Sequence, residues 1–272
     1  MREPAPNLPF ASDPGRTMPV TALGVDYEAR EEIRPHRHEV CQLIYAIRGV
    51  MVVSTSAGEW ILPATRAIWV PADVEHSIRM VGPVAMRTLY IQPSAVRELP
   101  RDCAVVAVSA LLRELILEAT KVALPYRMRS RNGRLMVLLL DEIVQMRALP
   151  LSLPATSDPR LRVIENAIRR HPDEQTTAAR WARRLGVDPK TIHRLFQRET
   201  GLSFARWRQQ ARLLRAVELL ARGERIVDIA LEVGYRSPTA FSTMFQRQFG
   251  CSPSVFFAHH GAAESPSASD AA

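Results

Sequence analysis

Three histidines in the first third of the sequence have the residue type and spacing to bind a ligand, because neutral imidazole nitrogens coordinate transition metals and accept hydrogen bonds. His36 and His38 are two positions apart, so on a β-strand their side chains point to the same face. A fold that brings His76 alongside would form a three-imidazole cluster. Together with Gln42, these histidines are our candidates for lining a ligand pocket, and the three histidines alone are candidate metal ligands.

The segments around these residues, PHRHEVCQLIYAIRG and PADVEH, resemble the two sequence motifs of cupin barrels. The match is incomplete, because Gln42 stands where the first motif usually has a glutamate and Asp73 where the second usually has a glycine. A neutral amide is a weaker ligand for a divalent cation than a carboxylate. Three interpretations therefore stay open: a metal site, a metal-free effector pocket lined by hydrogen-bonding side chains, and histidines satisfied within the core. No cofactor is expected beyond that possible divalent metal.

A second set of chemistry-bearing residues lies in the last third of the sequence. Lys190, His193 and Arg194 are spaced i, i+3 and i+4, so they share the outward face of a predicted helix. An arginine on such a face can pair with both major-groove acceptors of guanine. A later predicted helix presents short side chains and an arginine on its own outward face. The candidate DNA-binding residues are Lys190, His193, Arg194, Thr239, Ala240, Thr243 and Arg247.

Each of these helices belongs to a predicted helix–turn–helix pair. In the later pair, an apolar stripe begins at Ile226 and ends before Gly234, which can take the left-handed conformation that closes a helix. Ser237 and Pro238 then begin the next helix as N-cap and first-turn proline. Three phenylalanines at four-residue steps, starting at Phe241, supply its buried face.

The earlier pair repeats this pattern. Gly186 precedes Gly234 by 48 residues, and Phe196 precedes Phe245 by 49. A duplicated pair argues against an ordinary helical hairpin. Between the copies, Ser203 caps a long predicted helix that would hold two recognition helices at a fixed separation. Successive major-groove faces lie ~34 Å apart on B-DNA, so one subunit could read two grooves.

The segment GYRSPTAFSTMFQRQFGCSP resembles the C-terminal signature of the AraC/XylS family of bacterial transcription regulators. The resemblance covers nearly the whole chain and is closest from Asp158 to about Phe257. It implies that the outward residues of both recognition helices, other than Arg247, face DNA. It also implies that two helices after the barrel, about Ser109 to Leu124 and Arg131 to Leu149, contribute to a homodimer, with the transcription machinery as a possible further partner.

Charge and composition agree with this assignment. The chain has 272 residues, and its 47% hydrophobic and 24% charged content is ordinary for a soluble globular protein. From Asp158 to His260 there are 18 Lys and Arg against 10 Asp and Glu, so that segment alone carries a net charge of +8. A basic domain beside a near-neutral one is what binding to a phosphate backbone would produce, although arginine-rich surfaces also arise from genomic composition alone, so charge is supporting evidence only. No transmembrane segment or signal peptide is expected, which predicts a cytoplasmic protein without a membrane partner.

We therefore expect an α+β chain. Short β-prone runs from Pro19 to about Gln92 predict a small barrel or sandwich, with Tyr45, Trp60 and Trp69 as possible aromatic walls of its pocket. The expected parts are a flexible arm (1–18), a cupin-like sensor and dimerisation domain (19–149), a linker (150–157), a double helix–turn–helix domain (158–258) and a disordered tail (259–272).

The expected function is sequence-specific binding to double-stranded DNA as a transcription regulator, controlled by an unknown small-molecule effector in the barrel. An enzyme is not expected, since no Walker A loop, GxSxG or HExxH motif is present. The alternatives are a metal-dependent cupin enzyme and a regulator whose barrel only dimerises.

Overall fold

The computed structural model describes residues 18–64, 66–95, 100–146, 148–149, 152–174, 176–249 and 252–255. The predicted disordered tail, and the predicted arm except for Met18, lie outside this part. The strands are β1 (Val20–Tyr27), β2 (Glu32–His36), β3 (Cys41–Thr55), β4 (Gly58–Pro63), β5 (Arg66–Val70), β6 (His76–Ile91), β7 (Ala104–Ala107), β8 (Ala148–Leu149) and β9 (Ser152–Pro154). The helices are α1 (Ala110–Ala119), α2 (Arg131–Val144), α3 (Pro159–Arg170), α4 (Ala178–Leu185), α5 (Pro189–Thr200), α6 (Phe204–Ala221), α7 (Ile226–Glu232) and α8 (Pro238–Phe249).

The N-terminal region is an antiparallel sheet organised by the two long strands β3 and β6, which pair with each other. Both strands have a glycine with positive φ near their middle, Gly49 at +88° and Gly82 at +83°. A Cβ on Gly49 would lie 2.3 Å from the carbonyl oxygen of Pro83, so no other residue fits there. On one side of these glycines β6 pairs with β1 and β3 with β5; on the other side the partners are β2 and β4.

The two halves of the sheet face each other across an apolar core. Ile44 and Ile68 from one half pack with Met51 and Met80 from the other. The predicted α+β fold class with a cupin-like N-terminal domain is confirmed. Among the described strands the pairing runs β1-β6-β3-β5-β7-β8 and does not return to β1, so the sheet of this cupin-like domain is open.

Helices α1 and α2 cover the other face of the β1-β6-β3-β5 half. Their buried side chains, including Ile116 and Leu139, pack on Tyr45 and Trp69. The prediction that these two aromatic residues line the pocket is therefore wrong, because alternation along the strands turns them outward onto the helices. Trp60 does lie in the core between the two halves.

The segment between the sheet region and α3 contains two short strands. The second predicted helix was expected to reach Leu149, but α2 ends at Val144 and β8 pairs with β7. Part of the predicted linker forms β9, which pairs with β4. In both places, backbone pairing with a distant strand overrides the local pattern. Trp207 of α6 donates from its Nε1 to the carbonyl oxygen of Pro154 at 3.3 Å, so β9 also contacts the helical region.

Side-chain caps begin helices of the C-terminal region, and glycines end two of its helices. Asp158, Asp188 and Ser203 cap α3, α5 and α6 by accepting backbone N–H groups, and Gly186 and Gly201 take left-handed conformations after α4 and α5. Among the described helices, none is long and apolar enough to cross a membrane.

Candidate ligand site and nucleic-acid interface

The three predicted histidines come together at one end of the sheet. His36 ends β2 and His76 begins β6, and the two are register partners. His38 follows β2, where its carbonyl oxygen accepts the Asp73 N–H at 2.7 Å and so joins the two motif segments. Ring centroids are 4.4 Å apart for His36 and His76, 4.8 Å for His36 and His38, and 5.5 Å for His38 and His76. One nitrogen from each ring lies within 4.8 Å of the other two.

Backbone contacts fix how two of these rings present their nitrogens. The Nδ1 of His36 lies 2.7 Å from the Arg34 carbonyl oxygen, and the Nδ1 of His76 lies 3.0 Å from that of Val74. A carbonyl can only accept, so each Nδ1 carries the proton and each neutral ring keeps its lone pair on Nε2. Within the described chain, the buried Nε2 atoms of His38 and His76 have no hydrogen-bond partner.

Burial sets the charge state of the cluster. It lowers the pKa of His38 and of His76 to about 4, with the neighbouring imidazoles adding to the shift. Both rings are therefore neutral near pH 7, the form that coordinates metals and accepts hydrogen bonds. Outside this cluster, the described residues contain no other group of three His, Cys, Asp or Glu that could hold a metal ion.

Gln42, the fourth predicted pocket residue, lies on the same side of the sheet as the cluster. It is the register partner of Tyr90, whose ring meets that of His38 edge-on at 5.3 Å between centroids. The Gln42 Nε2 donates to Thr88 Oγ1 at 2.9 Å, while its buried Oε1 has no partner among the described residues. Burial raises the pKa of Tyr90, which keeps the phenol protonated.

Sequence reasoning missed Tyr90 as a pocket residue. Tyr90 lies two positions after Thr88 on β6, and side chains two positions apart on a strand point to the same face of the sheet. This alternation was the sequence signal available for Tyr90. The pairing of β6 with β3 places Tyr90 beside Gln42, and this pairing could not be predicted from local sequence. The side-chain cluster that the structure assembles thus contains a neutral phenol and a carboxamide beside three imidazoles.

All seven predicted DNA-binding side chains are exposed. On α5, Ile192, Leu195 and Phe196 are buried on the face opposite Lys190 and Arg194. On α8, Phe241, Met244 and Phe245 are buried. Within the described chain, no ion pair holds the side chains of the three basic residues Lys190, Arg194 and Arg247. The basic groups on both helices are therefore available to a polyanion.

The second helix–turn–helix unit also contacts the sheet. Val52 and Val81 share an apolar cluster with Val217 and Leu220 of α6 and with the buried side chains of α7 and α8. Beside this cluster, Arg79 of β6 donates to Glu218 of α6 at 2.8 Å. The first half of β6, which begins with His76, therefore contacts α6, the helix that joins the two helix–turn–helix units.

Sequence comparison identifies both regions. Residues 21–148 match the family described as AraC-like ligand binding domain, and residues 181–259 match the family described as helix-turn-helix domain. The transcriptional regulator NimR of Escherichia coli is 34% identical over 223 residues, which is 82% of this chain and 81% of NimR. The chain belongs to the AraC family of transcription regulators. The resemblance found in the sequence is confirmed.

Other matches to this AraC-family chain are shorter or more distant. The activator RhaS of Klebsiella pneumoniae is 30% identical over 119 residues, 43% of either protein. The solved structure of ToxT from Vibrio cholerae covers 90% of this chain and 100% of ToxT, at 10% identity and a TM-score of 0.39. A TM-score this low supports no comparison of individual sites.

The family assignment gives each half of the chain its role. The sheet region, with α1 and α2, is the ligand-binding domain of an AraC-family regulator, and α4 to α8 form its helix–turn–helix DNA-binding domain. The histidine cluster lies inside the first match and both exposed recognition helices lie inside the second. The individual base-reading and ligand-contacting residues stay predictions.

Proposed function

We propose that this AraC-family regulator reads DNA with the exposed faces of α5 and α8 and changes its DNA affinity when a small-molecule effector binds beside the histidine cluster. The observation that carries this proposal is the duplicated helix–turn–helix unit with two exposed basic or polar faces. Helix α6, which joins the units, has 18 residues and is therefore ~27 Å long. Such a connector suits two recognition helices in successive major grooves.

Within the DNA interface, Lys190, His193 and Arg194 supply the long side chains. Arg194 reads a guanine through its bidentate guanidinium, while Thr239 and Thr243 are short and make α8 depend more on backbone contacts. The basic excess of the helical half adds sequence-independent attraction to phosphates.

Titration onto labelled DNA from the region upstream of the gene, against scrambled DNA of equal length at several salt concentrations, tests this reading. We expect Arg194→Ala to reduce the preference for the native fragment by about 10- to 100-fold. Arg170→Ala is the matched control, because Arg170 is equally exposed but lies at the end of α3. Equal loss of preference in both variants, or equal affinity of the native chain for both fragments, would contradict the proposal.

The effector pocket is lined by His36, His38, Gln42, Tyr90 and His76. Its buried lone pairs on imidazole nitrogens and on the Gln42 Oε1 suit a ligand that brings hydrogen-bond donors or a cation. Occupancy reaches DNA through β6, which runs from His76 to the contact between Arg79 and α6. If candidate effectors change neither DNA affinity nor thermal stability, that result would support a regulator whose sheet domain only dimerises.

We infer that the regulator is a homodimer that pairs through α2. Val137, Leu138 and Val144 of α2 and Leu111 of α1 are apolar and 39 to 48% exposed, which is unusual for neighbouring helices of a monomer. Two-fold dimers are the commonest soluble oligomer. We expect Leu138→Glu to shift sedimentation toward the monomer, while Val163→Glu, at an equally exposed apolar site on α3, leaves the dimer intact. Sedimentation of the unaltered chain as a monomer would exclude this interface.

Action on DNA implies a cytoplasmic protein that works with the transcription machinery. The relatives are transcription regulators, which speaks against an enzyme. No feature of the described site favours catalysis over binding.

A further inference from the structure

The histidine cluster has a property that hydrogen bonding within the protein does not explain. His36 and His76 are both locked with Nδ1–H toward a backbone carbonyl, so their Nε2 lone pairs are the free ends of the rings. The Nε2 atoms of His38 and His76 are buried without a partner in the described chain. Leaving a buried acceptor unsatisfied costs about 1–3 kcal/mol. The cluster thus places the Nε2 lone pairs of His36 and His76 beside an unpartnered ring nitrogen of His38.

A single cation can satisfy all three rings at once. Metal-bound histidines typically donate their second nitrogen to a carbonyl or carboxylate, which fixes the tautomer and the ring orientation. The contacts from His36 to Arg34 and from His76 to Val74 provide this support. With bonds of ~2.0–2.1 Å, three imidazole nitrogens around one ion lie ~3.3 Å apart. The present separations, up to 4.8 Å, require the rings to close by ~1.5 Å.

The donor set selects the class of ion. Imidazole suits zinc, copper, iron and nickel, whereas magnesium and calcium require oxygen ligands. No carboxylate belongs to the described cluster. We propose that His36, His38 and His76 form a binding site for a divalent transition-metal ion, with a coordination position left open for the effector. Three protein ligands with an open fourth position is the arrangement of metal sites that bind exchangeable ligands.

This inference rests on the proposed function for its regulatory consequence. Metal binding draws His76 toward His36 and His38 at the start of β6, and three residues later the same strand holds Glu218 of α6 through Arg79. The metal-bound chain and the metal-free chain therefore differ in how the sheet domain holds the connector of the two DNA-reading units. The ligand class of the cluster is thus a transition-metal ion, alone or with an effector that donates to it.

Calorimetric titration of the full chain with Zn²⁺ tests the site. The chain is purified without a polyhistidine tag, stripped with a chelator and dialysed. We expect one equivalent of Zn²⁺ per chain, at least 100-fold tighter than Mg²⁺, with a rise in Tm. His38→Gln and His76→Gln should weaken Zn²⁺ binding by 10-fold or more. His171→Gln, an exposed histidine at the end of α3, should bind as the unaltered chain does.

Substitution by Co²⁺ gives a readout that does not depend on the variants folding. Absorption bands in the visible region from nitrogen ligation, abolished by one equivalent of Zn²⁺, support the site. Absence of these bands, absence of stoichiometric Zn²⁺ binding, or Zn²⁺ binding that His38→Gln and His76→Gln leave unchanged would overturn the inference.

DNA titration of the same stripped chain separates the two proposals. Sequence-selective DNA binding without any Zn²⁺ binding overturns the metal site and leaves the proposed function standing. Stoichiometric Zn²⁺ binding without DNA preference supports the metal site and contradicts the proposed function.

Discussion

The first helix–turn–helix unit (α4 and α5) packs on α3 and on the N-terminal half of α6, whereas the second (α7 and α8) packs on the C-terminal half of α6 and on the ligand-binding sheet. Trp207 belongs to the core of the first unit, and Val217 to the core shared by the second unit with Val52 and Val81. The two units share the same pattern of residues but pack against different neighbours. A change in the sheet reaches the second unit directly. It reaches the first through α6, through β9 and through the ion pair between Glu59 of β4 and Arg169 of α3.

The turns of the two units also differ, because other parts of the helical region approach the second turn more closely than the first. A Cβ on Gly186, in the first turn, would meet no atom within 4 Å. A Cβ on Gly234, in the second, would lie 2.8 Å from the Asp173 Cα and 3.0 Å from the Asp173 carbonyl oxygen. The second turn therefore packs closely against the segment that precedes α4. This contact fixes the two units relative to each other at a point away from α6 itself.

The largest effect expected from this difference is that of Gly234→Ala. Gly186 and Gly234 have φ of +66° and +77°, so alanine costs about 1–2 kcal/mol at either position from its backbone conformation alone. At Gly234 the added methyl group also collides with backbone that cannot rotate away, which adds about 1–3 kcal/mol. Urea unfolding should therefore show a loss of about 2–5 kcal/mol for Gly234→Ala and about 1–2 kcal/mol for Gly186→Ala.

Gly186→Ala is the matched control, since each glycine lies in the turn that follows the first helix of its unit. Equal losses in the two variants would show that the segment around Asp173 does not press on the second turn.

The next largest effect is expected at Arg212, which is buried on α6 and 7% exposed. Its Nε donates to the Pro172 carbonyl oxygen at 2.7 Å and its Nη2 to that of Glu174 at 3.4 Å. Arg212→Met removes both donors and leaves buried acceptors behind, at a cost of about 2–4 kcal/mol. Because this segment also supports the turn at Gly234, selective DNA binding should weaken as well.

Arg215→Met serves as its control one turn along α6. Arg215 is half-exposed and pairs with Glu232 and Glu218, so its replacement should cost below about 1 kcal/mol. Measurement is by urea unfolding and by titration onto native and scrambled DNA. A loss at Arg212 no larger than that at Arg215 would show that the buried guanidinium does not hold the segment.

The features that the sequence predicts well are local. The caps at Asp158, Asp188 and Ser203 depend on residues within one turn of each helix, and the outward face of α5 follows from the period of the helix. The grouping of the three histidines was predicted from alternation and from a family resemblance. Such patterns carry enough information because the physical cause lies within a few residues.

The features that the sequence does not predict are contacts between distant segments. Tyr90 enters the pocket because β6 pairs with β3, and β9 forms in the predicted linker because β4 offers a free edge. Arg212 looks like one of many arginines on an amphipathic helix, and its burial depends on carbonyl groups about 40 residues earlier in the chain. Each of these requires knowledge of the partner segment.

The smallest effect, and the one that addresses coupling between the domains, concerns the ion pair between Arg79 and Glu218. The Arg79 side chain is 40% exposed, so solvent screening limits the pair to about 0.5 kcal/mol. A double-mutant cycle with Arg79→Met and Glu218→Gln should return a coupling of that size in unfolding. The cycle is needed because Glu218 also pairs with Arg215 at 3.4 Å, so single substitutions mix two interactions.

The same cycle measured on DNA binding carries more information than the stability value. If β6 transmits occupancy of the histidine cluster to α6, the ratio of DNA affinities with and without Zn²⁺ should move toward one in the Arg79→Met chain while its Zn²⁺ affinity is unchanged. Arg225→Met is the control, since Arg225 is the N-cap residue of α7 and forms its ion pair with Asp228 of the same helix. An unchanged ratio in Arg79→Met would mean that the signal leaves the sheet through its apolar contact around Val52 and Val217, which a charge-neutral substitution at Arg79 does not disturb.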